Sequence, residues 1–116
     1  NVTSIIDDPD KDPHEYQADA RTQLAVAKAT VVIENGGGYD DFVPKMLAAS
    51  KNPTKLVIDA VQLSGYTGAD VNEHVWYDYP TVEKVIDAIA ASLHTADPAH
   101  GPDYTANAAK LTAQVQ

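Results

Sequence analysis

Val31-Val32-Ile33-Glu34-Asn35-Gly36-Gly37-Gly38-Tyr39-Asp40, running on to Ser50, is the stretch that decides the fold class of this chain. Val31, Val32 and Ile33 form a continuous β-branched run, the composition of a short strand buried on both faces. Asn35 to Gly38 is a turn by composition. Asp40 to Ser50 then reads as a helix. Asp40 is its candidate cap, and Pro44 falls in the first turn, where a missing N–H costs little. A strand, a turn and a helix in that order make the first part of a parallel crossover unit.

The alternation continues in both directions. Upstream, Asp19 to Ala29 is Ala-rich, with Leu24 and Ala27 or Lys28 at helical spacing, and reads as helix. Val2 to Ile6 reads as another strand, and the loop from Asp7 to Glu15 is dense in acids. Downstream, Lys51-Asn52-Pro53 breaks the chain and Leu56-Val57-Ile58 is a third apolar strand. A loop containing Gly65 and Gly68 follows. Thr81 to Leu93 sets Val82, Val85, Ile86, Ile89 and Leu93 on one helical face. Ala96 to Pro102, with two prolines, reads as a linker, and Asp103 to Gln116 as a final Ala-rich helix. Strands alternating with helices imply an α/β fold: a three-layer sandwich with a short parallel sheet flanked by helices.

The chain has 116 residues, enough for one small domain with a real core. Its 17 acids against 8 bases give a net charge of −9. That field disfavours nucleic acid and anionic lipid and favours cations. Without cysteine there is neither a disulfide nor a thiolate metal site. No apolar run is long enough to cross a membrane, and signal-peptide features are absent. A strand opening at residue 2 implies that something upstream was removed.

The chemistry concentrates at two histidines. His14 stands in Asp12-Pro13-His14-Glu15-Tyr16, and His74 in Asn72-Glu73-His74-Val75-Trp76-Tyr77-Asp78. Each is expected just past a strand, among acids, where ligands of open α/β sheets gather. Imidazole nitrogens near carboxylates suit a divalent transition metal. Glu15 and Glu73 are possible further ligands, although adjacent residues usually point apart and loop acids are usually solvated. Asp78 is placed either to orient an imidazole or to cap the helix beginning near Pro80; the cap is preferred. Trp76 is expected as a core aromatic that holds the histidine rotamer. His94 and His100 read as surface residues. Asn35 to Gly38 lacks the spacing of a dinucleotide or phosphate loop, and Ser64 and Ser92 lack a nucleophile-elbow context.

Taken in order, Val2-Thr3-Ser4-Ile5-Ile6, Asp12 to Tyr16, Val32 to Gly36, His74 to Asp78, Ala96-Asp97-Pro98 and Asp103-Tyr104 with Asn107 resemble a known family across the whole chain. It is the zinc/manganese group of solute-binding proteins of metal-uptake ABC transporters, in its amino-terminal lobe. The resemblance implies two α/β lobes joined by a long helix, with the metal between them. It implies that residues 1–95 are the metal-binding lobe, lacking its first strand and helix, and that 96–116 are a linker and the start of the inter-lobe helix. His14 and His74 match the two histidine ligands of that lobe. The other ligands would come from a second lobe that this chain does not contain.

The cargo so implied is a divalent metal, zinc ahead of manganese, and the partner is a membrane permease. The location is extracytoplasmic, periplasmic or lipid-anchored, and no catalysis is implied. Two departures stand out. The family often has Asp-Pro before the second histidine, where this chain has Asn72-Glu73. Zinc members often carry a His-rich loop there, and Ser64 to Glu73 is short and has none. Two rivals predict different behaviour. A metal-dependent hydrolase with Glu15 as base would show turnover. A surface adhesion or interaction module would bind a partner protein with both histidines dispensable. Loss of a central strand is expected to leave an open sheet edge. Val2 to Ile6 would then slide into the gap, fray, or give way to self-association of two copies, which is preferred.

Overall fold

The computed structural model describes residues 2–17, 19–50, 56–68 and 71–116, and of His14 the backbone only. Two parallel strands lie at its centre, β1 (Val31–Glu34) and β2 (Leu56–Asp59), paired in register from Val31 with Leu56 to Glu34 with Asp59. Five α-helices flank them among the described residues: α1 (Ala20–Lys28), α2 (Phe42–Ala49), α3 (Ala60–Ser64), α4 (Tyr79–Ala96) and α5 (Gly101–Val115). Short 3-10 turns occupy Pro13–Glu15, Val75–Tyr77 and Pro98–His100.

Local chemistry explains most boundaries. Asp19 caps α1, its carboxylate accepting from the Thr22 amide at 2.8 Å and the Thr22 hydroxyl at 2.9 Å. These bonds hold its carboxyl below the ordinary carboxylate range. Pro44 and Pro80 both fall in first turns, where the helix leaves amide groups without intrahelical acceptors. Asp59 closes β2 and caps α3, accepting from the Gln62 amide at 2.9 Å. Helix α3 ends on Gly65 in the left-handed region.

The core is made by Val26 of α1, Val32 of β1, Val43 and Met46 of α2, Ile58 of β2, Val61 of α3, Val75 of the second 3-10 turn and Ile86 of α4. Helix α4 packs on both strands and on α3, and α5 folds back along α4. Helices α1 and α2 pack on each other, joined by a bond of 3.0 Å from the Gln23 side-chain amide to the Met46 carbonyl. The sheet is covered in a staggered way. Paired residues of a parallel sheet share a face, yet Val32 is buried while Val57 is 47% exposed, and Ile58 is buried while Ile33 is 52% exposed.

The expected α/β class with a short parallel sheet flanked by helices is present. Four expectations fail in detail. Val2 to Ile6 is not a strand and does not slide into the sheet: Val2 is fully exposed, and the Ser4 hydroxyl bonds locally to the Ile6 carbonyl at 2.7 Å. A strand needs a partner for its backbone groups, and this short run makes no ladder. Hence His14 follows an irregular segment rather than a strand. Asp41, not Asp40, stands at the start of α2. Helix α3 was not anticipated. The supposed linker 96–102 is helical except at Asp97, because Pro98 and Pro102 each fall in the first turn of a helical segment. The expected break at Lys51-Asn52-Pro53 lies outside the described residues.

Candidate metal centre

The turn after β1 and the loop before α4 are fastened together above the carboxyl end of the sheet. Asn35 is the fastening. Its amide N–H donates to Asp40 Oδ2 at 2.8 Å, and its carbonyl accepts from the Val61 amide at 2.9 Å. Its side-chain Nδ2 donates to the Glu73 carbonyl at 2.8 Å and to the Gly36 carbonyl at 3.2 Å. Asp40 also accepts from the Gly36 amide at 2.9 Å, so the acid expected to cap a helix instead fixes this turn. Gly36 has φ of 80°, and a Cβ there would overlap the Asp59 carboxylate. Only glycine suits both conditions.

This fastening places His74 beside the end of β1. The imidazole is exposed and contacts two aromatic rings, Trp76 at 5.0 Å and Tyr39 at 6.1 Å between centroids. Trp76 therefore does pack on the histidine, but at 39% exposed it is not a core residue. Asn72 Oδ1 lies 3.1 Å from the His74 backbone nitrogen and 2.6 Å from ring Nδ1. The ring borders an open groove of ≈ 700 Å³ shared with Tyr66, Val71, Asn72, Tyr77 and Asp78.

The other candidate residues are dispersed. His14 has its backbone in the 3-10 turn Pro13–Glu15, and its side chain lies outside the described residues, so its approach to His74 lies outside them too. Glu15 is exposed in the same turn. Glu73 is half-buried with its Cβ against Gly37. Asp78 sits at the start of α4 and accepts from the hydroxyls of Thr81 and Tyr66, which hold its carboxyl below the ordinary range. Among the described residues no three His, Asp or Glu side chains are grouped to hold a metal. What they present is one well-held imidazole. His94 and His100 are exposed, and His100 Nδ1 lies 2.8 Å from Asp97 Oδ2.

Beneath the loop the register sets two acids side by side, Glu34 and Asp59. Glu34 is buried, and its Oε2 has no hydrogen-bond partner among the described residues. Burial first, then the charges of Asp59 and Asp40 and a hydrogen bond with Asp59, push its carboxyl up to about 7. Neither Glu34 nor Asn72 was singled out from sequence. By sequence Glu34 carries no signal of its own, and Asn72 is a departure from the family's motif.

A short parallel sheet flanked by helices is the fold of one lobe of a two-lobed solute-binding protein. Residues 1–116 match the family described as zinc-uptake complex component A, periplasmic (ZnuA), and the chain belongs to that family. That family is described as a component of a zinc-uptake complex. The chain is 29% identical over 102 residues to the manganese-binding lipoprotein MntA of Halalkalibacterium halodurans, covering 84% of this chain and 33% of that protein. The solute-binding protein FpvC of Pseudomonas aeruginosa, solved with Mn2+, superimposes with a TM-score of 0.76 at 31% identity, over 90% of this chain and 40% of that one. Its Ni2+ complex gives the same TM-score at 30% identity, over 91% of this chain and 39% of that one. The Zn(II)-bound ZnuA-like domain of Streptococcus pneumoniae AdcA shares the fold, with a TM-score of 0.75 at 23% identity over 92% of this chain and 40% of that one. The chain thus spans well under half the length of these relatives.

Proposed function

We propose that the intact protein captures a divalent transition metal outside the cytoplasm, in the periplasm or anchored by lipid, and hands it to the membrane permease of an ABC transporter. Residues 1–95 form the metal-binding lobe, and residues 96–116 begin the connection to a second lobe. His74 and His14 are this lobe's ligands, and Glu15, Glu73 and Asp78 are candidates either for a further metal bond or for support of the imidazoles. The cargo is zinc or manganese, both of which imidazole and carboxylate donors accommodate. The observation that carries this is the His74 ring: exposed beside the sheet's carboxyl edge, in contact with the paired rings of Tyr39 and Trp76, and hydrogen-bonded to Asn72 through Nδ1. Two neutral imidazoles leave a tetrahedral ion short of two ligands, so a second lobe is required for tight capture.

Calorimetric titration of the intact protein with Zn2+ and Mn2+, repeated on His14→Ala and His74→Ala, tests this. Each variant should lose affinity by at least ~100-fold, since losing a ligand weakens binding more than losing its supporting contact. Unchanged affinity in both would refute the assignment.

A further inference from the structure

We infer that Asn72 is the positioning residue of this half-site: its amide oxygen holds His74 in the Nδ1–H tautomer and so presents Nε2 to the metal. This rests on the proposed metal role of His74. The tautomer follows from the geometry. One atom of Asn72 lies 3.1 Å from the His74 backbone nitrogen and 2.6 Å from ring Nδ1. A backbone N–H can only donate, so that atom is the acceptor oxygen and not the amide nitrogen. An acceptor so close to Nδ1 requires a proton on Nδ1, which leaves the lone pair on Nε2.

A free histidine side chain favours the opposite tautomer, with the proton on Nε2. Without Asn72 the ring would offer Nδ1, the nitrogen nearer its own backbone, where access for an ion is poorer. Tyr39 and Trp76 limit how far the ring can swing, but aromatic contacts do not select a tautomer. The chemistry also gives meaning to the residue type. An amide sets the tautomer without adding negative charge to the ligand. A carboxylate in its place would set the same tautomer and make Nε2 a stronger donor.

The test uses the intact, metal-free protein labelled with 15N in histidine. Long-range 1H–15N correlation reads the ring tautomer, and zinc titration follows on the same samples. His74 should show Nδ1–H in the wild type, shift toward Nε2–H in Asn72→Ala, and return to Nδ1–H in Asn72→Asp. Zinc affinity should fall ~10–100-fold in Asn72→Ala, the usual loss for a contact that orients a ligand, and recover or exceed wild type in Asn72→Asp. A wild-type ring protonated on Nε2 overturns the inference, whatever the variants do. His74→Ala separates the two claims. Unchanged zinc affinity there refutes the metal role and the purpose of the positioning with it. Lost affinity there, with Asn72→Ala binding zinc like wild type, refutes the positioning alone.

Discussion

Replacing Glu34 by Gln should make the protein more stable, and only above mildly acid pH. Glu34 is 8% exposed and faces the carboxylates of Asp59, Asp40 and Asp41. Its carboxyl is pushed from an ordinary value of 4.5 up to about 7, chiefly by burial. The folded state therefore holds this proton more tightly than the unfolded chain does. A raised carboxyl contributes fully at low pH, and its contribution is lost as pH rises from the unfolded value through about 7. Tenfold tighter proton binding corresponds to about 1.4 kcal/mol, so the loss amounts to about 3 kcal/mol by pH 8. A glutamine side chain imitates the protonated acid, since its amide donates to Asp59 as the carboxyl O–H does, and it does not titrate. Urea unfolding of both proteins at about pH 4, 6 and 8 measures the difference. The two should agree closely at the lowest pH and diverge as pH rises, with Glu34→Gln about 3 kcal/mol more stable at the highest. Stability curves that run parallel across this range would show that Glu34 ionises normally in the fold, and the account of its burial would be wrong.

Two further outcomes follow from packing and backbone geometry. Ile86 of α4 is 7% exposed in the core, so Ile86→Ala should lower the unfolding free energy by about 2–5 kcal/mol in urea; a loss under about 1 kcal/mol would mean that α4 is loosely seated. Gly36→Ala should destabilise by more than about 1 kcal/mol, because φ of 80° and the nearby Asp59 carboxylate both oppose a side chain; thermal melting at the wild-type temperature would contradict this.

Most regular elements could be read from local chemistry alone. β1, β2 and α4 carry patterns that few other structures satisfy. The failures share one cause, which is that the deciding partner lay elsewhere. Val2 to Ile6 has the side chains of a strand, yet no backbone ladder forms on it. Pro98 and Pro102 look like breakers until their places in first turns are known. Asp40 has the composition of a cap, but the amides of Asn35 and Gly36 claim its carboxylate. The burial of Glu34 depends on the register with Asp59, which no local pattern reports. At the site, His74 stood out by its neighbours. The contact that orients it did not, because a single asparagine two residues upstream carries no periodicity or motif of its own.

Asn35 joins two loops before any ion arrives. Its side chain spans Gly36 and Glu73, and its backbone is held by Asp40 and Val61, so the turn after β1 and the approach to His74 form one framework. The ordering entropy of this half of the site is therefore met during folding and not during capture. If His74 binds metal as proposed, the loop that carries it is already tied to the turn after β1 in the absence of the ion. A slow, concentration-independent phase in metal binding by the intact protein would then point to motion outside this framework.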